Sequence, residues 1–305
     1  MMTGLFLHFH SGLDPGGQRG NPLYNRPLPD DIKQILKGIF NNMKKRILSF
    51  ILAAIMIVSL LPVTTQAGGN PVSIVGGSSY STVQNAVNDA SNGQTIQLNT
   101  TRTENVTIPA GKTVTIDLNG NVLKGTGSVI TVSAGANLTL TDSSDDKIHK
   151  FTVGENGLWT LDTTKDSGTP LASLTARPAK DSVIEVSGGC ITGGTGGNGS
   201  ADAVSQSNAN GGGVHVEGAL SMYGGSIVGN NADTTKTTCN GGGVYNNGKF
   251  NMTGGNITGN TATSGGGVYN LGIFTMSGGT ISGNNAKTGW QGLFGGGADG
   301  GAALH

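Results

Sequence analysis

Four groups of residues have the types and spacing of recognisable chemistry. Gly111-Lys112-Thr113 has the ending of a phosphate-binding loop. That loop needs a further glycine five residues earlier, where Val106 stands, and a helix after it; a strand-like alternation follows instead, so the tripeptide is not read as a nucleotide site. Gly193-Gly194-Thr195-Gly196-Gly197-Asn198 approximates one calcium-binding nonapeptide, with Asn where Asp belongs. Such sites work as tandem copies, and a single copy reads as a glycine loop. Asp142, Asp145 and Asp146 have the hard oxygens a divalent cation takes, but they read as a solvated acidic turn. The fourth group is His215, Tyr245 and Tyr269, which occupy one place in successive copies of a repeat. Aromatic rings with polar tips can stack on sugar rings, or on one another to stabilise the row. These three are the candidate ligand-binding residues. His215 has no partner with which to hold a metal, so no metal, cofactor or catalytic residue is expected.

The repeat that aligns them is explicit. Gly241-Gly242-Gly243-Val244-Tyr245-Asn246 returns as Gly265-Gly266-Gly267-Val268-Tyr269-Asn270, at an offset of 24. Phe250-Asn251-Met252-Thr253-Gly254-Gly255-Asn256-Ile257-Thr258-Gly259-Asn260 returns as Phe274 to Asn284 at the same offset. An earlier copy runs from Gly211 to Asn230, and Ile184 to Gly193 reads as half a copy. The Gly-Gly pairs at 188, 224, 254 and 278 are 36, 30 and 24 residues apart, and all the variation falls between "Gly-Asn" and the next "Gly-Gly-Gly". A fixed unit with insertions at one corner is the mark of a stacked repeat. Phe250 and Met252 alternate with polar residues, which is strand periodicity, and runs of three to five residues between glycines are too short for helices.

The expected fold is therefore all-β: a right-handed parallel β-helix, or solenoid, with rungs of about 24 residues. Val, Phe/Leu, Met and Ile should form inward ladders, glycine should take the corners, and Asn230, Asn260 and Asn284 should sit at a turn, bonding neighbouring backbone and tolerating left-handed geometry. Residues 68–142 read as an N-terminal cap and first rungs. Ser81 or Thr82 caps a short helix with Val83, Ala86, Val87 and Ala90 on one face, and strands follow at Thr95–Leu98, Val106–Ile108, Val114–Leu118, Val129–Val132 and Leu138–Leu140. The pattern lapses in an irregular insert, 143–182, before the glycine-rich repeats at 183–297.

Composition agrees with a scaffold of this kind. Of 305 residues 54 are glycine, about 18 %, while aromatics are 5 % and charged residues 12 %. The 18 Lys+Arg balance 18 Asp+Glu, so there is no basic footprint for nucleic acid. Lys44-Lys45-Arg46, the apolar stretch Ile47–Leu61 and Thr65-Gln66-Ala67 form a secretory signal over 43–67, too short to span a bilayer. Residues 1–42, ahead of it, read as a non-native leader or disordered extension, and the exported product should begin near Gly68. That product has 11 Lys+Arg against 15 Asp+Glu, a net charge of −4. Cys190 and Cys239 take different repeat positions and read as two isolated thiols. After Gly295-Gly296-Gly297 the expected Val-Tyr pair is replaced by Ala298-Asp299, so 298–305 reads as a truncated end, with any cell anchor in the missing part.

On these motifs, 80–142 and 183–284 resemble the right-handed parallel β-helix proteins of the pectin-lyase-like superfamily, closest to adhesin-like surface proteins built from the same units. The Gly-Gly-x-Ile pieces are also similar to repeats of polymorphic outer-membrane proteins. The resemblance implies a secreted or cell-surface adhesin, binding module or stalk, with glycans or host and cell-surface molecules as partners and membrane contact only through the signal segment or a missing C-terminal anchor. It also implies the alternative, a polysaccharide lyase or glycosidase, which would gather acids for calcium and an Arg or Lys base on one face, or two facing carboxylates. The exported part has only Arg102 and Arg177 as arginines, and Glu185, Asp202, Glu217 and Asp233 share no place in the unit, so no enzyme is expected.

Overall fold

The computed structural model describes residues 70–155, 157–174, 177–197, 210–232 and 239–287. The leader, the signal segment, Asn198, Asp202, Asp233 and the end of the chain from 288 lie outside the described residues. The chain divides after Gln66 into two units, and every described residue belongs to the second.

That unit is all-β. Besides a four-stranded mixed sheet and a two-stranded parallel pair, Thr261–Ala262 with Asn285–Ala286, its strands fall in three long sheets in which parallel pairing dominates. The first runs from Ser79–Tyr80 and Val72–Ile74 through Thr95–Leu98, Thr113–Asp117, Asn137–Thr141, Ala219–Met222 and Lys249–Met252 to Ile273–Met276. The second joins Arg102–Thr103, Val122–Lys124, Cys190–Thr192, Ser226–Val228, Asn256–Thr258 and Thr280–Ser282. The third joins Val106–Ile108, Ile130–Val132, Val214–Val216, Val244–Asn246 and Val268–Asn270. The chain visits third, first and second sheets in turn, so each repeat supplies one strand to each. Register follows the repeat: Leu220, Phe250 and Phe274 pair in one column, and Ile191, Ile227, Ile257 and Ile281 in another. Alternation sends these side chains inward to a single core cluster, in which Phe250 and Ile257 are fully buried. At Gly213 an added Cβ would lie 2.6 Å from the Gly243 carbonyl of the next repeat, and Gly243 stands in the same relation to Gly267. The triple glycine is thus a place where backbones of successive repeats approach too closely for a side chain.

The helix Val83–Asp89, capped by Thr82, packs on the first strands of the first and third sheets. It also blocks open edges by amide mimicry. The Gln84 side chain donates to the Thr107 carbonyl and accepts from the Thr107 amide, as a neighbouring strand would. Asn92 does the same at the Gly111 carbonyl and the Thr113 amide. Unpaired edges invite aggregation, and here two side chains occupy the edge.

Two expectations are corrected. The residues in the left-handed region are Gly229, Gly259 and Gly283, with φ of 65°, 61° and 64°, and the asparagines that follow them are not. Asn230, Asn260 and Asn284 instead form a ladder: Asn230 Nδ2 donates to Asn260 Oδ1 at 3.0 Å, and Asn260 Nδ2 to Asn284 Oδ1 at 2.9 Å. Their amides also satisfy the Ile227 and Ile257 carbonyls, so a polar column stands inside the turn with its partners in place.

The second correction concerns Ile184 to Ser187. Only Cys190–Thr192 of the supposed half-copy enters a stacked column. In the first sheet Asn137–Thr141 pairs directly with Ala219–Met222, leaving no slot between them. Val183–Ser187 pairs antiparallel with Ile148–Val153, which pairs with Trp159–Leu161, while Thr169–Pro170 lies along the other side. The insert is therefore an ordered four-stranded sheet extending to Ser187. Phe151 and Trp159 give Ile184 and Val186 an apolar surface to bury against, together with Val122, Cys190 and Val228 of the second sheet's outer face. Cys190 and Cys239 lie in separate buried clusters and form no disulfide with each other.

Candidate functional site

In the third sheet the flanking valines, Val214 and Val216 among them, point inward, so the middle residue of each strand points out. Parallel pairing in register sets Thr107, Thr131, His215, Tyr245 and Tyr269 in one outward column. Strands about 4.8 Å apart leave side-by-side rings little choice but to stack. His215 and Tyr245 have ring centroids 4.9 Å apart with planes at 34°, and Tyr245 and Tyr269 are 5.8 Å apart at 7°. Of the two uses open to the row, the rings take the second: the faces of Tyr245 are turned to its neighbours. What the row offers outward is ring edges and phenol tips, and no described residue hydrogen-bonds to either hydroxyl. Burial, the nearby Glu217 charge and Tyr269 together raise the pKa of Tyr245, so its hydroxyl keeps its proton.

His215 is less open than an outward position suggests, at 8 % exposure. Its Nε2 lies 2.9 Å from Glu217 Oε1, and its Nδ1 is 3.5 Å from the Asn210 carbonyl. The other Glu217 oxygen accepts from Asn247 Nδ2 at 2.8 Å, tying two repeats together beside the tyrosines. Glu217 and Asn247 are the residues that sequence reasoning missed. Their signal was that both stand two places after the aromatic position, in the column that Leu271 continues.

The remaining candidates have local duties. Lys112 Nζ donates to the Asn88 and Ala90 carbonyls at the helix C-terminus, where a cation is favoured. Arg102 pairs with Glu104, whose carboxylate accepts from the first helical amides, Val83 and Gln84. Glu185 accepts from the Gly168 amide. Asp146 accepts from Ser144, while Asp142 accepts from the Gly120 and Gly189 amides, fastening the insert's exit to an early turn. No group of three His, Cys, Asp or Glu among the described residues is placed to hold a metal, and no helix among them is long and apolar enough to cross a membrane. Comparison with protein-family models, curated proteins and solved structures finds no match to this chain.

Asp142 and its neighbour Asp117 titrate in opposite senses. Burial, aided by repulsion from Asp117, raises Asp142 despite the backbone amides of Gly120, Gly189 and Ser144 that donate to it. Burial also acts upward on Asp117, but hydrogen bonds from Gln97, Ser143 and Asn119 outweigh it and hold this carboxyl below the usual range. A depressed carboxyl stabilises the fold above its unfolded pKa, and that stability is lost as pH falls through its folded value. Asp117→Asn should therefore cost about 1–3 kcal/mol at neutral pH, and the gap to the parent should close in acid. Urea midpoints of the two proteins from neutral pH downward check this; a gap that is constant with pH contradicts the assignment.

Proposed function

We propose that the chain is an exported or cell-surface right-handed parallel β-helix of the pectin-lyase-like type, adhesin-like, acting as a binding module or stalk. The three-sheet cycle and the column register support the fold reading, and the signal at 43–67 supports export. The observation that carries the binding role is the Tyr245–Tyr269 row, two phenol tips with no described hydrogen-bond partner beside the Glu217 carboxylate and the exposed Asn247 amide. Such a comb of donors and acceptors at the spacing of successive strands suits the hydroxyls of an extended glycan, so glycans on a cell surface are the partner class. The enzymatic alternative is less well supported, since Arg102, Glu185 and Glu217 sit in three different places and each already holds a structural partner.

The test is calorimetric titration of the exported product, expected to begin near Gly68, with cellohexaose, chitohexaose and oligogalacturonate. Binding of at least one is expected, weakened about tenfold by Tyr245→Ala, the scale of one aromatic contact with its hydrogen bond. Tyr245→Ala binding as well as the parent removes the row from the site. Release of cleaved sugar, lost on replacing one acidic residue, restores the enzyme reading.

A further inference from the structure

Charge on the outer face of the third sheet is concentrated at one point. Its strands and the corners that flank them, residues 106–110, 130–136, 211–218, 241–248 and 265–272, contain one acidic residue, Glu217, and no lysine or arginine. Lys249, the next cation along the chain, opens a strand of the first sheet. Glu217 is also held in place. Its Oε1 accepts from His215 Nε2 at 2.9 Å, and its other oxygen from Asn247 Nδ2 at 2.8 Å. Neither bond needs a charged donor, so the carboxylate is fixed without being neutralised. Each oxygen has a further lone-pair site, and the side chain is 37 % exposed. At the other end of the row, one face of Tyr269 lies on Tyr245, and no described ring lies on its other face.

We propose that the row selects an amine-bearing glycan, a chain of amino sugars whose ammonium groups meet the Glu217 carboxylate and the open face of Tyr269. The proposal rests on the reading of the Tyr245–Tyr269 row as a glycan site and names the class of glycan. An ammonium group makes a charge-assisted hydrogen bond to a carboxylate, and it is attracted to the face of a phenol ring. The strands of His215 and Tyr269 are two places apart, so Glu217 and that ring face lie roughly 10 Å apart along the stack. One amine cannot reach both, whereas a chain with an amine on successive sugars can. Between them the phenol hydroxyls donate to or accept from the sugar hydroxyls. A uronate chain meets the opposite situation: its carboxylates face Glu217, and the row has no described lysine or arginine to receive them. The two exposed contacts together should favour the amine about fivefold, and salt should screen the carboxylate's part.

The test uses hexasaccharides of glucosamine, N-acetylglucosamine and glucose, which share one backbone and differ in bearing ammonium, acetamide or hydroxyl on each sugar. Calorimetric titration of the full exported chain, in mildly acid buffer where the sugar amine is protonated, should find the glucosamine hexamer about fivefold tighter than the other two. High salt should reduce that preference. Glu217→Gln removes the charge at nearly constant shape, and Tyr269→Leu removes the ring face; each should cut the preference to about twofold or less. Asp145→Asn deletes the same charge from an exposed turn elsewhere and should leave the preference intact. A preference that survives both Glu217→Gln and Tyr269→Leu, or that falls as far in Asp145→Asn, overturns the selection. Equal binding of all three sugars by the parent also overturns it and leaves the glycan reading standing. Binding of none of them overturns the glycan reading, and the selection with it.

Discussion

Replacing Ile257 with Asp should abolish cooperative folding of the repeat region, whereas Asn256→Asp, one residue away, should shift it little. Ile257 is fully buried and paired between Ile227 and Ile281, so the substitution places a carboxylate in a column with no counter-charge. An unpaired buried charge of this kind costs more than about 4 kcal/mol, among the most severe of single changes. Asn256 points outward, with only a long contact of 3.4 Å to Ser226 Oγ, and its replacement should stay within about 0.5 kcal/mol. Each repeat is held mainly by its neighbours, so damage at 257 should spread to both sides. Far-UV circular dichroism and protease resistance of the two variants make the comparison. Equal behaviour would mean that the strand does not alternate as described.

The second large effect concerns the insert. Trp159 is 1 % exposed and lies across the turn glycines of three successive repeats, with its backbone carbonyl over Gly229, its indole over Gly259 and its ring edge 3.7 Å from where a Cβ on Gly283 would stand. Trp159→Ala should cost about 3–5 kcal/mol, the usual loss for a large buried aromatic, and should loosen the insert before the sheets beneath it. Gly259→Ala should also be severe, for two separable reasons: its φ of 61° disfavours any side chain, and an added Cβ would enter the indole. In the Trp159→Ala background the clash disappears while the backbone cost remains. The two changes should therefore combine to less than the total of their separate effects, measured as thermal midpoints of the four proteins. Full additivity would show that the indole does not sit on Gly259.

The repeated part of the molecule was legible because its information is local and periodic. The offset of 24 between Phe250 and Phe274 is also the register of their strands, since identical units stacked in parallel have one way to align every column. The capping helix was legible for a similar reason: Thr82 and an apolar face at Val83, Ala86 and Val87 suffice to specify one turn after another. Where the argument was by analogy of pattern, it misled. Ile184-Glu185-Val186-Ser187 has the alternation of Leu220-Ser221-Met222-Tyr223, yet it pairs in another sheet. Alternation says that one face is buried and not what buries it; Phe151, on the strand it pairs with, and Trp159, one strand further, supply that surface.

The candidate site divides along the same line. Composition and spacing were enough to put His215, Tyr245 and Tyr269 in one outward column, because a period of two and a fixed repeat leave no freedom in which face a residue takes. Whether those rings faced outward or one another lay beyond the sequence, since both arrangements use the same positions. The spacing of strands in a sheet decided it, by setting the rings close enough to stack. The contact between Glu217 and Asn247 was likewise beyond the sequence, because it joins residues 30 positions apart through side chains that no repeat position required, although both stand two places after the aromatic position. Periodicity names the column; only packing across columns says which atoms meet.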